Sequence, residues 1–287
     1  METQTKAAPR VHYAWVVAAV MFIAMLAAAG IRSTPGVLIV PLEKDMGWSR
    51  ATVSFAVSIN LVLFGLLGPF GAALTARFGV RRIVTAALVL LSTGVSLTPL
   101  MTKPWHLVLL WGVLVGSGTA MIALATAATL INTWFQESRG LVMGMLTASF
   151  ATGQLIFLPI MAYVATTYGW RPMVLIVAAV AAVMVPVVAL GMRNRPEDIG
   201  LRPYGDKRTG PVAAAAPMAK VNPIWNTLRV LNIGVRSRHF WLLSSTFFIC
   251  GLSTNGLIGT HLISASMEHG IPEVTAAGLL ATIGIFD

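Results

Sequence analysis

The chain has 287 residues, of which 56% are hydrophobic and only 10% are charged, whereas a soluble domain carries roughly a quarter charged residues. This composition excludes a soluble domain. The formal net charge of +10 could suit nucleic acid, but Lys and Arg lie in short intervals between apolar runs, which indicates a membrane protein and excludes a nucleic-acid partner.

Eight apolar segments follow one another along the chain, seven of them complete and the eighth still open at its end. At a rise of about 1.5 Å per residue, some 20 residues cross the hydrocarbon core of a bilayer. We place the segments at 14–40, 51–74, 83–101, 105–132, 140–165, 172–192, 240–264 and 275–287. The sequence therefore predicts an all-α integral membrane protein that crosses the lipid bilayer several times.

Arg32 is a charged residue inside the first apolar segment. An arginine at that depth is costly unless it meets water, a protein-lined cavity or an anion, so we expect it to bind an anionic substrate. Pro35 and Gly36 follow within about one turn and are expected to weaken the helix there. The alternative is that Arg32 extends to the outer headgroups, because about 18 residues of the segment already precede it.

Three amide side chains also lie within apolar segments, namely Asn60, Gln154 and Asn255. We expect them to bind the substrate together with Arg32. The alternative for each is a hydrogen bond to a neighbouring helix, which is the commoner use of an amide in a bilayer. Asn255 lies beside Gly256 and near Gly259, where the helix could unwind around a substrate.

Two glycine pairs predict close helix packing. Gly112 with Gly116, and Gly140 with Gly144, are each spaced by four residues, so each pair lies on one helix face. Because glycine lacks a side chain, such pairs let two helix backbones approach.

The distribution of Lys and Arg predicts the orientation. Fifteen of these residues lie in one set of intervals and four in the other. The positive-inside rule then places the N-terminus and the long interval 193–238 in the cytoplasm. We expect the protein to lie in a bacterial inner membrane.

The interval 193–238 divides the chain into two parts. Residues 1–192 form a six-helix N-terminal half, 193–238 form a cytoplasmic linker loop, and 239–287 form an incomplete second half with a seventh helix and part of an eighth. Within the linker, 224–235 is predicted to be an amphipathic stretch on the inner surface. Two six-helix halves are typical of secondary transporters, so we expect this chain to be a fragment or a truncated product of one.

The interval between the second and third segments carries a basic, glycine-containing turn. It contains Leu74, Arg77, Gly79, Arg81 and Arg82. At these positions it resembles the G-x-L-A-D-R-x-G-R-R-K loop of the major facilitator superfamily. Glycine permits a tight turn, and the arginines anchor the helix ends to anionic headgroups. Ala76 stands where the family has an aspartate that helps lock the outward-facing state, so the resemblance does not extend to that lock.

Further stretches resemble the branch of that superfamily that contains the monocarboxylate transporters and the oxalate/formate antiporter. They are YAWVV at 13–17, WFQESRGLVMG at 134–144, YGWR at 168–171 and IFD at 285–287. The resemblance implies a major facilitator fold and secondary active transport of small organic anions, mono- or dicarboxylates, by proton symport or by exchange for a counter-anion. It also implies that Asp287, like the helix 8 aspartate of monocarboxylate transporters, couples transport to protons.

Other functions are kept as alternatives. A transporter of the same fold could export a neutral or cationic drug, although Arg32 would repel a cation. The chain could also be a truncated membrane protein that transports nothing. The sequence contains no P-loop, no plausible Ser-His-Asp arrangement and no His/Cys cluster at metal-ligand spacing, so we expect neither an enzyme nor a metal or cofactor.

Overall fold

The computed structural model describes residues 12–207 and 222–283, and most of them are helical. The helices are α1 (Tyr13–Met46), α2 (Arg50–Phe78), α3 (Val80–Ser96), α4 (Pro104–Trp134), α5 (Arg139–Tyr168), α6 (Trp170–Gly191), α7 (Pro223–Gly234), α8 (Arg238–Glu268) and α9 (Glu273–Ile283). Within the described residues seven helices, α1 to α6 and α8, are long and apolar enough to cross a membrane, as predicted. Asp287 lies outside the described residues, as does the N-terminus before His12.

Two glycines turn the chain between helices in a single residue. Gly79 joins α2 to α3 with φ 89° and ψ 149°, and Gly169 joins α5 to α6 with φ 91° and ψ 166°. These dihedral angles are accessible essentially to glycine alone. The tight turns keep each pair of consecutive helices side by side.

Helix α1 is the buried centre of the N-terminal half and packs against α5 and α6. It is a continuous helix through Pro35 and Pro41, so the expected weakening at Pro35 does not interrupt it. A Cβ on Gly153 of α5 would lie 2.6 Å from Ala29, and one on Gly30 of α1 would lie 2.8 Å from the Phe157 ring. The middles of α1 and α5 are therefore in close contact.

The two predicted glycine pairs have different outcomes. A Cβ on Gly112 would lie 3.0 Å from Ile59, and one on Gly116 would lie 3.0 Å from Asn60, so this pair brings α4 against α2. Around Gly140 and Gly144 no described atom lies within 4 Å of an added Cβ. The prediction of close packing is therefore confirmed for the first pair and wrong for the second, because residue spacing alone does not say what faces a helix surface.

The described part of the linker is more structured than the sequence indicates. Residues 193–207 fold back against the N-terminal half, where the Tyr204 N–H donates to the Trp134 carbonyl at 2.8 Å. The Tyr204 ring lies 5.6 Å from the Trp15 ring. Helix α7 matches the amphipathic stretch predicted at 224–235 and packs against α2.

In the predicted orientation, the end of α1 that carries Asp45 and the end of α2 that carries Arg50 face the outside of the cell. We call this end of the helices the outer end. Near this outer end the last part of α8, Gly259–Glu268, packs against α1, and α9 packs against α5. The first part of α8, Arg238–Cys250, has no buried residue. The helices of the second half therefore meet the first half mainly near the outer end.

Candidate functional site

The Arg32 side chain lies near the middle of the membrane-spanning part. Its Cζ atom is 4.0 Å from the centroid of the Phe64 ring. Phe64 is 14 residues from each end of α2, which is about 21 Å at the usual rise. A guanidinium stacked on Phe64 cannot reach the headgroups at either end, so the structure does not support the alternative of an extension to the outer surface.

The charge of Arg32 has no ion pair in the described part of the chain. The described salt bridges join Arg50 to Glu43 and Glu268, and Lys207 to Glu137, and none involves Arg32. Stacking on Phe64 covers one face of the guanidinium and stabilises the charge by roughly 0.5–2 kcal/mol. The N–H groups at its edge stay available, and their planar fork matches the two oxygens of a carboxylate.

The opposite side of α1 is fixed by its contact with α5. Ala29 and Gly30 face α5, as described above, and the Thr34 hydroxyl donates to the Met161 sulfur at 3.3 Å. Arg32 leaves the other side of α1 toward α2, where Phe64 lies. A rigid backbone at this point sets the position of the guanidinium.

Gln154 lies at a similar depth, close to the middle of α5 and next to Gly153. It is partly exposed, and its amide makes no hydrogen bond to any other described residue. The amide is thus free to bind a ligand. Its role in substrate binding stays a prediction.

Asn60 and Asn255 differ from Gln154. Asn60 is buried, and its amide nitrogen donates to the Trp111 carbonyl at 2.6 Å. This bond joins α2 to α4. It is the hydrogen bond to a neighbouring helix that the sequence left open as the alternative to substrate binding. The Asn255 side chain lies outside the described part of the structure, although its backbone lies in a π-helical stretch, Gly251–Ile258, where the sequence favoured an irregular helix.

The basic turn between α2 and α3 is stabilised by the residues that follow α6. The Asn194 side-chain oxygen accepts the Arg81 backbone N–H at 3.1 Å, and thereby caps the first turn of α3. A Cβ on Gly79 would overlap the Asn194 amide and displace this capping side chain, and the positive φ of Gly79 also favours glycine. Leu74 is partly buried, Arg82 is exposed, and the Arg77 guanidinium lies 5.2 Å from the Phe78 ring centroid. Beside Asn194 is a cavity of about 170 Å³.

We expect Asn194→Ala to lower the stability of the protein by about 1 kcal/mol, because the Arg81 N–H loses its acceptor. Thermal unfolding in detergent measures the change as a fall in Tm of a few degrees. Asn194→Asp keeps an acceptor oxygen at the same place and is the matched control. A Tm for Asn194→Ala equal to that of the wild type would contradict the capping role.

Two features of the site were not predicted from the sequence. Phe64 is one of 12 phenylalanines, and nothing in an apolar run marks the one that stacks on an arginine.

The second feature lies at the start of α2, where Arg50 bonds Glu43 at 3.0 Å and Glu268 at 2.6 Å. The second of these bonds joins residues 218 positions apart, and a single sequence carries no signal for such a contact.

Comparison with known proteins identifies the family. The model of the Major Facilitator Superfamily matches residues 20–286. The MFS-type transporter YcxA of Bacillus subtilis (strain 168) is 26% identical over 273 residues, which are 95% of this chain and 62% of that protein. Monocarboxylate transporter 13 of Rattus norvegicus is 26% identical over 275 residues, which are 96% of this chain and 59% of that protein. The chain thus spans about 60% of the length of these curated relatives.

Solved structures show the same fold. A D-xylose-proton symporter superposes with a TM-score of 0.63 and 14% identity, over 96% of this chain and 66% of the other. The xylose transporter XylE from E. coli, in an inward open conformation, superposes with a TM-score of 0.54 and 16% identity, over 64% of this chain and 48% of the other. At these identities the likeness concerns the fold and not the substrate.

Proposed function

Because this chain belongs to the major facilitator superfamily, we propose that it is part of a secondary active transporter that carries small organic anions across the membrane. The observation that carries the proposal is the Arg32 guanidinium, which lies near the middle of the membrane without a carboxylate partner among the described residues. An unpaired cation at that depth suits an anionic substrate. The monocarboxylate transporters among the relatives favour a carboxylate.

In this proposal the substrate carboxylate binds the edge of the Arg32 guanidinium while Phe64 holds its face. Gln154, at a similar depth, is the candidate for hydrogen bonds to the rest of the substrate, with Asn60 and Asn255 as further candidates. Residues 1–192 and the helices after the linker would rock about this central site. Transport would be driven by proton symport, with Asp287 as the candidate coupling residue, or by exchange for a counter-anion.

Flux in proteoliposomes tests the proposal. The protein, expressed from its complete reading frame, is reconstituted and supplied separately with labelled oxalate, formate, lactate and a cationic dye. We expect uptake of at least one carboxylate, and no uptake of the dye, because Arg32 repels a cation. Uptake of the dye alone would favour the alternative of a drug transporter. Uptake of none of the four compounds would favour the alternative of a membrane protein that does not transport.

The proposed orientation places the N-terminus and the linker in the cytoplasm. It predicts that a cysteine at Ala51, at the outer end of α2, reacts with an impermeant thiol reagent in intact cells. A cysteine at Asp198, in the folded part of the linker, should react only after the cells are opened. Both residues are exposed in the structure, and both variants need a Cys250→Ser background, since Cys250 is also exposed. The reverse labelling pattern would overturn the orientation.

A further inference from the structure

Glu273 begins α9 at the outer end, at the place where the second half meets the first. It is 8% exposed, and its Oε1 atom has no hydrogen-bond partner among the described residues. Ala276 and Ala277 of the same helix are fully buried. These small residues bring α9 close to the first half, where it packs on α5. The carboxyl is thus enclosed by the contact between the two halves.

Two opposing effects act on the pKa of the Glu273 carboxyl. Burial removes water from the ionised form and raises the pKa of Glu273, while the nearby Lys44 ammonium lowers it by a smaller amount. The free N–H groups at the start of α9 also favour the ionised form. The effect of burial is larger than that of Lys44, so the pKa of Glu273 is above its ordinary value. Contact between the two halves over Glu273 therefore favours the neutral carboxyl.

The other titratable groups near this end of the neighbouring helices are Glu43 and Asp45 on α1, Tyr163 and Tyr168 on α5, His261 and Glu268 on α8, and His269 just after it. Tyr163 and Tyr168 are exposed, and His261 is partly buried. Glu43 and Glu268 bind Arg50, and Asp45 accepts the Trp170 indole N–H at 2.8 Å. The His269 Nδ1 lies 2.9 Å from the Ala265 carbonyl oxygen. Lys44 is therefore the charge that acts on Glu273.

The surrounding contact has the form of a gate between the halves. A Cβ on Gly36 of α1 would lie 3.1 Å from the Gly259 carbonyl of α8, so the two helices touch there. The Arg50–Glu268 ion pair, at 2.6 Å, joins the same two halves at the surface. We call the contacts at Gly36, Arg50 and Glu273 the outer contact. In alternating access, this contact must open for the site to face outward.

We propose that Glu273 is a proton-binding site that controls the outer contact. With the proton bound, the neutral carboxyl stays buried and the contact is closed. When the carboxyl loses its proton to the outer solution, the charge is stabilised by water and the open arrangement is favoured. The proton comes from the outer solution and returns to it, so Glu273 senses outer pH and is separate from the coupling role considered for Asp287.

This inference rests on the proposed alternating access, but its test needs no substrate. Spin labels are placed on cysteines at Ala51 of α2 and Ala265 of α8, which are exposed and lie on either side of the outer contact, in the Cys250→Ser background. Pulsed EPR of the complete protein in lipid bilayers gives the distance between the labels from acid to alkaline pH. A failure of anion uptake would leave this measurement readable, so the two proposals can fail separately.

We expect a short distance in acid and a longer one in alkali. Since one proton is involved, the ratio of short to long populations should fall by up to about tenfold per pH unit, with a midpoint above the usual value of about 4.3 for glutamic acid. Glu273→Gln mimics the neutral carboxyl and should keep the short distance at every pH. Glu197→Gln, on the cytoplasmic turn Pro196–Ile199, should leave the wild-type profile unchanged.

Lys44→Gln provides a second variant that leaves Glu273 in place. Removing the ammonium takes away a charge that lowers the pKa of Glu273, so the midpoint should move to higher pH. An unchanged or lower midpoint would overturn the assignment of the transition to Glu273. A wild-type distance independent of pH, or a Glu273→Gln profile that follows the wild type, would overturn the proposal as a whole.

Discussion

Replacing Arg32 with glutamine is expected to abolish carboxylate uptake. Glutamine keeps a polar side chain but removes the charge that neutralises the substrate. Removing one partner of a desolvated charged pair costs about 2–5 kcal/mol, so kcat/KM should fall by at least about 30-fold. Arg32→Lys keeps the charge and loses the planar fork, so it should retain part of the activity. Initial uptake rates at several substrate concentrations give these values.

Arg171 provides a matched control for this experiment. Its guanidinium also stacks on an aromatic ring, 4.9 Å from the Trp170 centroid, but it lies at the outer end of α6 and is exposed. Arg171→Gln removes the same charge and a similar stacking contact far from the membrane centre. It should transport like the wild type. Unchanged transport by Arg32→Gln would contradict the binding role of Arg32.

Replacing Gly153 with valine is expected to have the largest effect on folding. Even its Cβ would lie 2.6 Å from the Ala29 Cβ and 2.9 Å from the Leu26 carbonyl oxygen, and backbone atoms cannot move aside as a flexible side chain can. Overpacking of this kind costs about 1–3 kcal/mol, and sometimes more. We expect a large fall in the yield of folded protein, and a lower Tm for whatever folds. Size-exclusion profiles and thermal unfolding in detergent measure both.

Gly144→Val is the control, since Gly144 lies on the same helix with no described atom within 4 Å of an added Cβ. Both variants make the same chemical change in α5, so their difference isolates the contact with α1. The control should fold in wild-type yield. Equal behaviour of the two variants would contradict the close contact between α1 and α5.

Much of the fold was predictable because it depends on long apolar runs. A helix such as α6 needs only enough consecutive apolar residues to cross the bilayer, and the segment predicted at 172–192 matches Trp170–Gly191 closely. The first segment was placed at 14–40, but α1 extends to Met46. A polar segment such as Glu43-Lys44-Asp45 looks like a loop in the sequence, yet the helix continues through it to Met46.

The site was predictable only in part, because a sequence shows which residue is unusual and not what it meets. Arg32 was found as a charge in an apolar run. Its depth in the membrane-spanning part follows from its contact with Phe64, which lies on another helix. The same limit explains Asn60 and Gln154, which look alike in the sequence. In the structure Asn60 bonds Trp111, whereas Gln154 bonds no other described residue.

The most direct test of the central claim is equilibrium binding to the purified complete protein. Labelled lactate is displaced by unlabelled lactate or by lactamide, its neutral amide of nearly the same shape. If Arg32 binds the carboxylate, the wild type should prefer lactate over lactamide by at least about 30-fold, equivalent to about 2 kcal/mol, and Arg32→Gln should lose that preference. If lactate does not bind, oxalate with oxamide serves in the same way. Equal binding of acid and amide by the wild type, or an unchanged preference in Arg32→Gln, would contradict the account.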